Sequence, residues 1–414
     1  MSQQTHQSGK PGTILLLTQV YVPDPASVGQ HLHDAAAELV RRGHRVKVLA
    51  SARGYDDPSM KYPRHEVRDG VTIRRLPLSS FGKGSIPVRV AAGMFLMMQE
   101  ILHGLFTRHL DSILVSTSPP MCPIAAMVIS FLRRKPITYW VMDLNPDQMI
   151  ELGKIKEGSF SARIFNWLNR RILKRARRIV ALDRFMADRL YRKHDVRDKT
   201  SIMPPWPHDD HVEMIDHADN PWRKEHVEDG RFVIMYSGNH GFSTPVTTVL
   251  QAALRMQEEQ GLEFLFIGGG VGKKEVDDTL EREKPTNVRS MPYQPFETLR
   301  YSLSAADVHL VSVGTDVVGV VHPCKIYGAM AVGRPILLLG PDPCHASDLV
   351  LDNDIGWQIS HGDIERAMEV IRTIQATPRD KLQEMGRRAQ EVIRRDLSKD
   401  GLCGRFCDVV ENRT

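Results

Sequence analysis

The sequence has no long apolar run, and this argues against an integral membrane protein. A membrane-spanning helix needs roughly 18 consecutive apolar residues. The longest apolar stretch, MCPIAAMVISFL, is shorter and ends on Arg133, Arg134 and Lys135. The first dozen residues are polar, so we interpret 1–12 as a loose N-terminal tail and expect no secretory signal there.

Cysteine is scarce and the net charge is modest. The five cysteines are an odd number without a secretory signal, which is typical of free thiols in a reducing compartment, so we expect a cytoplasmic protein. Nothing upstream completes a zinc set with Cys403 and Cys407, and we expect neither a metal nor another cofactor. A net charge of +5 over 414 residues gives no concentrated basic domain, so nucleic acid is not expected as a partner.

Short apolar runs alternate with helical patterns along the chain, which predicts parallel sheets covered by helices. The first half predicts helices over about 28–42 and 88–108 and the strands TILLLTQV, RVKVLAS, VTIRRLPL, SILVSTS, ITYWVMD and RIVALD. The rhythm pauses at the proline-rich segment SIMPPWPHDD. It restarts with the strands FVIMYSGN, EFLFIGGG, NVRSMPY, VHLVSVG, PILLLG and GWQIS, and two helices follow.

This rhythm predicts an α/β protein with two Rossmann-like domains and parallel sheets that face each other across a cleft. We expect an N-terminal domain over 13–203, a C-terminal domain over 204–385, and C-terminal helices over 386–414 for which a return to the N-terminal domain is one option. Ligands bind such sheets beyond the carboxyl ends of the strands. The cleft is therefore where we expect the functional site.

Two loops after predicted strands are candidates for ligand contact. Gly29 stands at a predicted helix start, where a glycine lets the backbone approach an anion. YSGNHG places Gly238, Asn239 and His240 beyond another strand. A turn glycine needed only for geometry remains an alternative for both loops. A third loop, FIGGGVGKK, has neither the spacing of an ATP-binding phosphate loop nor the dinucleotide fingerprint, so we reject both functions there.

The stretch HPCKIYGAMAVGRP carries the strongest chemical signal. It predicts a helix with Lys325 in its first turn, just after Pro323. A cation there opposes the helix dipole by about 0.3–1 kcal/mol unless an anion offsets it. A diphosphate would do so, because helix N–H groups and the Lys325 ammonium would both face it. The alternative is an exposed lysine whose ammonium lies in water.

With these motifs the chain resembles the bacterial retaining glycosyltransferases of family 4, which have the two-domain GT-B fold, and especially their capsule and exopolysaccharide branch. The matching segments are YVPDPASVGQHLHDAAAELVRRGHRVKVLAS, WVMDLNPDQ and HPCKIYGAMAVGRPIL. The resemblance implies retaining transfer of a sugar from a UDP- or GDP-sugar donor to a hydroxyl group. The acceptor would be a saccharide or a lipid-linked sugar in polysaccharide assembly.

The resemblance also implies roles for individual residues. Lys325 would stabilise the leaving diphosphate, and Asp143 would orient or deprotonate the acceptor, with a structural cap as the alternative for Asp143. The residues expected to bind the substrates are Gly29, Gly238, Asn239, His240, Met291, Pro292, Tyr293, His322, Pro323, Cys324, Ile326 and Tyr327.

Two departures from the family pattern change these expectations. Many members carry paired glutamates around this helix, and Val320 and Gly328 stand at those places here, so the usual ribose contact is missing. No Arg or Lys follows the YSG strand, which leaves Lys325 as the main cation at the phosphates. A non-hydrolysing sugar-nucleotide epimerase and a catalytically silent nucleotide-sugar-binding protein remain alternatives.

The segment RIFNWLNRRILKRARR predicts a basic amphipathic helix over 163–178 with Trp167 among its cations. Such a helix suits an anionic membrane surface. We predict that Arg170, Arg171, Lys174 and Arg175 face the membrane and that the protein lies peripherally on the inner face of the plasma membrane. A solvated helix face is the alternative.

Overall fold

The computed structural model describes residues 12–24, 26–54, 57, 59–77, 79, 86–117, 119, 121–207 and 214–413. The predicted tail over 1–12 lies outside these ranges except for Gly12, and so do the last three residues of the predicted connector, 208–210. None of the described helices is long and apolar enough to cross a bilayer.

The first sheet has eight strands in the order β3-β4-β2-β1-β5-β6-β7-β8. All neighbouring strands are parallel except β3 and β4. The six predicted strands are present, while β3 and β8 were not predicted. The bounds are β1 Thr13–Leu17, β2 Arg45–Ser51, β3 His65–Arg68, β4 Val71–Leu76, β5 Leu110–Ser116, β6 Ile137–Val141, β7 Arg178–Ala181 and β8 Thr200–Ile202.

Helices cover both faces of this sheet. The bounds are α1 Ser27–Arg41, α2 Ile86–Leu105, α3 Cys122–Arg133, α4 Asp147–Glu151, α5 Phe160–Arg175 and α6 Arg184–Lys193. The chain runs from β1 to β2 in one direction and from β5 through β8 in the other, so right-handed crossovers place α1 on one face and α3, α5 and α6 on the opposite face. The helix α2 contacts α3, and α3 contacts α5.

The second sheet has six parallel strands in the order β11-β10-β9-β12-β13-β14, and all six were predicted. Their bounds are β9 Phe232–Ser237, β10 Leu262–Ile267, β11 Val288–Met291, β12 Val308–Ser312, β13 Ile336–Leu339 and β14 Gly356–Ile359. The helices of this half are α7 Pro221–His226, α8 Thr247–Arg255, α9 Lys273–Glu283, α10 Leu299–Ser304, α11 Lys325–Ala331 and α12 His345–Asp352. Three helices follow β14 where the sequence predicted two: α13 Ile364–Gln375, α14 Arg379–Asp396 and α15 Lys399–Glu411.

The last helix, α15, returns to the first sheet and packs against α1. Arg42 of the first half pairs with Asp408 at 2.6 Å and with Glu411 at 2.9 Å. The ring of Phe406 lies 4.2 Å from that of Trp140 and 6.0 Å from that of Trp206. Because Trp206 belongs to the proline-rich connector, one aromatic cluster joins the first sheet, the connector and the C-terminal helix.

Phe406→Ala should lower the free energy of unfolding by roughly 3–5 kcal/mol, because removal of a buried ring leaves a cavity among the tryptophans. Chemical denaturation followed by tryptophan fluorescence measures this loss. The matched control is Phe131→Ala, because the Phe131 ring is 71% exposed whereas Phe406 is buried. Equal losses in the two variants would contradict a structural role for the aromatic cluster.

Candidate active site in the interdomain cleft

The centre of the site is the contact between Lys325 and the loop after β9. Lys325 is the first residue of α11, and its side chain lies along Gly238. A Cβ atom on Gly238 would stand 2.4 Å from Lys325 Cε, and the φ of Gly238 is +139°, so this position accepts glycine for two reasons. The Lys325 ammonium lies 5.7 Å from the centre of the Tyr236 ring. The structure thus brings two of the predicted motifs together.

The Lys325 ammonium is half-buried and forms no ion pair with any carboxylate of the described chain. Burial lowers its pKa, although the neighbouring Cys324 opposes this effect. The helix α11 has seven residues, so its dipole is a weaker argument for an anion than the sequence suggested. The charge of the ammonium itself, held in a cleft without a counterion, is the stronger argument.

His240 lies beside this cation as a neutral group. Its side chain is 1% exposed, and neither ring nitrogen forms a good hydrogen bond, although the Ile267 carbonyl is close. Burial, supported by the charges of Lys273 and Lys325, lowers its pKa to about 4. The exposed Asn239 precedes it, and its backbone carbonyl accepts a hydrogen bond from the Tyr236 hydroxyl at 2.8 Å.

The glycine run after β10 adjoins the same loop. The N–H of His240 donates to the Gly269 carbonyl at 2.7 Å, and the N–H of Gly272 donates to the His240 carbonyl at 2.8 Å. This run lacks the spacing of a phosphate loop, and its contact with the loop after β9 was not predicted from the sequence. Its position directly after a central strand could have indicated that it borders the site, because ligands bind such sheets beyond the carboxyl ends of the strands.

Lys273, at the start of α9, also borders the site and was not predicted from the sequence. Its buried ammonium donates to the Phe266 carbonyl at 2.5 Å and to the Met291 carbonyl at 3.0 Å, and so joins the ends of β10 and β11. The segment predicted to hold the nucleotide base follows directly, and there Pro292 and Tyr293 are exposed. The Tyr293 hydroxyl reaches the Gly269 carbonyl at 3.4 Å. The predicted base contact thus borders the Gly238 loop, and its role remains a prediction.

Asp143 follows β6 on the opposite side of the cleft. Its N–H donates to Thr117 Oγ1 at 2.9 Å, while its carboxylate forms no hydrogen bond within the described part of the chain. Burial raises its pKa. The N-cap residue of α4 is Pro146, and a structural role for Asp143 at the end of β6 remains an alternative. Burial, with a smaller contribution from the nearby Asp143 carboxylate, raises the pKa of the Cys324 thiol to about 11.

The accessibility of Cys324 is that of a residue that lines the cleft. The side chain is exposed to water and is nevertheless surrounded by enough protein to raise its pKa, a combination typical of groups that line a cleft. Cys324 and the half-buried Pro323 therefore form the accessible part of the predicted HPCK segment. On another side of the cleft, the Lys154 ammonium lies 5.0 Å from the Phe242 ring.

Three predicted substrate contacts have other partners. Ile326 is fully buried in the core. His322 and Tyr327 are also buried, with His322 Nε2 2.6 Å from the Tyr327 hydroxyl and His322 Nδ1 2.9 Å from Asp183 Oδ2. The structure gives these side chains protein partners, and substrate contact there remains a prediction. Asp183 ends the predicted strand RIVALD, and its position at a strand end could have marked it as a candidate. No sequence signal marked its link to His322.

Gly29 lies in the first turn of α1, as the sequence predicted. A Cβ atom there would stand 3.1 Å from Tyr21 Cα, and all three nearest atoms belong to Val20 and Tyr21. The close packing of the β1–α1 loop accounts for this glycine. Its predicted contact with a ligand remains untested.

The basic helix lies three residues earlier than predicted, because α5 spans Phe160–Arg175, and Arg177 and Arg178 lie beyond its end. The residues predicted to face a membrane are all exposed: Arg170, Arg171, Lys174 and Arg175. Arg175 also serves the fold, since its guanidinium donates to the hydroxyl and the carbonyl of Ser130 at 3.1 and 2.9 Å.

Two parallel α/β sheets on either side of a cleft define the class of the fold. Sucrose-phosphate synthase from Thermosynechococcus elongatus has a similar structure, with a TM-score of 0.74, 13% identity and coverage of 97% of this chain and 99% of that chain. The Anabaena protein HepE in complex with UDP and glucose gives a TM-score of 0.71, 14% identity and coverage of 96% and 99%. The chain has the GT-B fold, which confirms the prediction.

Residues 27–206 match the model of the glycosyl transferase 4-like domain family. The chain is 25% identical to the probable glycosyltransferase WbjE of Pseudomonas aeruginosa over 258 residues, which are 61% of this chain and 63% of WbjE. It is 22% identical to the putative colanic acid biosynthesis glycosyl transferase WcaI of Escherichia coli K12 over 326 residues, 76% of this chain and 79% of WcaI. The first match thus spans less than two thirds of that relative.

Lys325 should lose its proton at a lower pH than an ordinary lysine amine of pKa 10.5, because burial in the cleft disfavours the ammonium. Trace acetylation measured by mass spectrometry across a pH series gives the titration of each amine. The control is Lys274, whose pKa is raised by its hydrogen bond and ion pair with Asp278 at 2.7 Å. Titration of Lys325 at or above the pH found for Lys274 would contradict this account of the cleft.

Proposed function

We propose that the protein is a glycosyltransferase that moves a sugar from a nucleotide-diphosphate donor to a hydroxyl acceptor with retention, in the assembly of a bacterial exopolysaccharide or lipid-linked oligosaccharide. The observation that carries the proposal is the half-buried Lys325 ammonium in the cleft of a GT-B chain, which pairs with no carboxylate among the described residues. The similarity to WbjE and WcaI, which are both named as glycosyltransferases, supports the transfer of a sugar. The complex of HepE with UDP and glucose supports a nucleotide-diphosphate sugar as the donor.

In this proposal the donor diphosphate lies between Lys325 and the glycine-containing loops beyond β9 and β10. Negative charge grows on the diphosphate as the bond to the sugar breaks. A fixed ammonium in a partly desolvated cleft stabilises that charge with little reorganisation. The imidazole of His240 is neutral at physiological pH, so it contributes hydrogen bonding and leaves Lys325 as the main positive charge.

The acceptor hydroxyl approaches from the Asp143 side of the cleft. Its proton passes to an oxygen of the departing diphosphate on the same face of the sugar, and this front-face transfer retains the configuration of the sugar in one step. Asp143 orients the hydroxyl, because its carboxylate has no hydrogen bond to the described chain and is free for one. The protein therefore contributes chiefly positioning and electrostatics.

Lys325→Ala should weaken binding of UDP or GDP by roughly 10–150-fold, since a hydrogen bond to a charged group contributes about 1.5–3 kcal/mol. Thermal-shift screening against UDP-, GDP- and dTDP-sugars first identifies the nucleotide, because a ligand that binds the folded state stabilises it by mass action. Calorimetry with that nucleotide then measures the loss. Lys274→Ala removes an exposed lysine as the control. Unchanged affinity in Lys325→Ala would remove Lys325 from this role.

A turnover assay separates the proposal from its alternatives. Nucleotide release that depends on an added acceptor supports a transferase. Binding without release under any acceptor supports a silent binding protein, and interconversion of sugar nucleotides without an acceptor supports an epimerase.

We also propose that an anionic bilayer covers the outer surface of α2, α3 and α5, and that the acceptor is lipid-linked. These helices lie on one face of the first sheet and expose large apolar side chains beside basic ones. The exposed apolar residues include Leu102, Phe106, Phe131, Leu132, Phe160, Ile164 and Trp167. The Arg171 guanidinium lies 5.1 Å from the Trp167 ring, an aromatic and cationic pair suited to the headgroup region.

A small pocket lies between α3 and α5. Its apolar lining consists of Pro123, Ile124, Met127, Phe165, Leu168 and Ile172, and Asp143 is among the polar residues that also line it. Apolar side chains beside the acceptor carboxylate suit an acceptor that carries a lipid.

Neutralising Arg170, Arg171 and Lys174 should weaken binding to phosphatidylglycerol vesicles, since each cation near an anionic surface contributes about 1 kcal/mol. Vesicle flotation measures the bound fraction, and phosphatidylcholine vesicles report the charge-independent part. The control variant neutralises Lys381, Arg387 and Arg394, which are exposed on α14. If wild type floats with neither lipid, or both variants bind equally, the membrane proposal fails and the sugar-transfer proposal stands.

A further inference from the structure

A buried contact joins the two halves of the chain directly beneath the site. The turn between β7 and α6 packs against residues 316–322, the segment that leads into α11. Arg189 of α6 donates to the Val318 carbonyl at 2.8 Å. A Cβ atom on Gly319, whose φ is +69°, would stand 2.6 Å from the Phe185 carbonyl. The backbone of the first half thus touches the segment that positions Lys325.

A chain of four polar side chains runs through this contact, and we call it the Asp183 chain. Its members are Asp183 of the first half and His322, Tyr327 and His345 of the second half. Asp183 Oδ2 lies 2.9 Å from His322 Nδ1, His322 Nε2 lies 2.6 Å from the Tyr327 hydroxyl, and that hydroxyl lies 3.1 Å from His345 Nε2. The other carboxylate oxygen of Asp183 accepts the N–H of Met186 at 2.8 Å and caps α6.

Asp183 is the ionised end of this chain. Burial disfavours the Asp183 carboxylate, but the hydrogen bond from His322 and the histidine charges hold its pKa below the usual range. Burial, followed by the effect of His322, lowers the pKa of His345 to about 3, and burial raises the pKa of Tyr327 well above its usual value. Because a carboxylate only accepts, His322 Nδ1–H donates to Asp183, while the directions of the bonds from His322 Nε2 to Tyr327 and from Tyr327 to His345 follow the tautomers of the two histidines.

Few other charges act on this chain. Arg184 pairs with Asp348 at 2.7 Å across the same interface, and its charge acts on His345. Cys324 acts on Tyr327. The carboxylate at the buried end of the chain thus fixes the orientation of His322, because an ionised carboxylate can only accept from Nδ1–H.

We propose that Asp183 is a positioning residue, which holds Lys325 opposite Asp143 by fixing the two residues, His322 and Tyr327, that flank Lys325 on either side. His322 precedes Lys325 by three residues and Tyr327 follows it by two. An anchor on both sides fixes the start of α11 to the first sheet. The inference rests on the proposed function in one respect, namely that Lys325 contacts the nucleotide diphosphate.

An asparagine at position 183 keeps the shape of the aspartate but removes the carboxylate oxygen that accepts from His322. With its oxygen capping α6 at Met186, its amide nitrogen faces His322 Nδ1, and the hydrogen bond from His322 Nδ1–H is lost. Asp183→Asn therefore tests the carboxylate while it retains the helix cap.

The experiment is a double-mutant cycle on nucleotide affinity, measured by calorimetry with UDP and in parallel with GDP. Asp183→Asn should weaken binding by roughly tenfold, because displacement of a contact residue by about 1 Å has large effects on a site. In a Lys325→Ala background, Asp183→Asn should have no further effect, since residues that act through one another are not additive. Tyr327→Phe, which removes only one hydroxyl of the chain, should follow the same pattern and covers the case in which Asp183→Asn does not fold.

Two controls separate this inference from the proposed function. Arg184→Gln breaks the exposed ion pair of the same interface and should change affinity by less than about twofold, as surface pairs contribute little. If Lys325→Ala alone leaves affinity unchanged, the diphosphate role fails. If Lys325→Ala weakens binding but Asp183→Asn has no effect, or the same effect in both backgrounds, the positioning role of Asp183 is overturned.

Discussion

The candidate site depends on one charge, the ammonium of Lys325, which forms no ion pair with the described carboxylates. The Lys325 ammonium is held in the cleft against Gly238 and the Tyr236 ring, where burial lowers its pKa and no described carboxylate pairs with it. Such a charge is unfavourable until an anion arrives. The loops beyond β9 and β10 come together around it, and Asp143 stands on the opposite side. A diphosphate is the anion that this arrangement suits.

The position of that cation depends on contacts between the two halves of the chain. The aromatic cluster of Trp140, Trp206 and Phe406 anchors both the connector and the last helix to the first sheet. Nearer the site, the Asp183 chain links the turn after β7 to the start of α11. The site is therefore assembled from both sheets, and its geometry depends on how the two halves meet.

Most of the fold and half of the site follow from the sequence, for identifiable reasons. Strands buried on both faces appear as continuous apolar runs, so the central strands of both sheets were predicted. The two strands that were missed, β3 and β8, are only four and three residues long at the sheet edges. Lys325 begins a predicted helix and His240 follows a predicted strand, so their positions singled them out, whereas Asp143 was singled out by the family resemblance. Asp183 and His322 are 139 residues apart, and no local pattern reports such a pairing.

The most direct test of the central claim is a crystal structure of the protein in complex with UDP, or with GDP if screening selects it. The account predicts that the diphosphate lies in the cleft, with Lys325 Nζ within hydrogen-bonding distance of a phosphate oxygen and Asp143 facing the open side. A nucleotide bound elsewhere, or a diphosphate in the cleft with the Lys325 side chain turned away from it, would contradict the account.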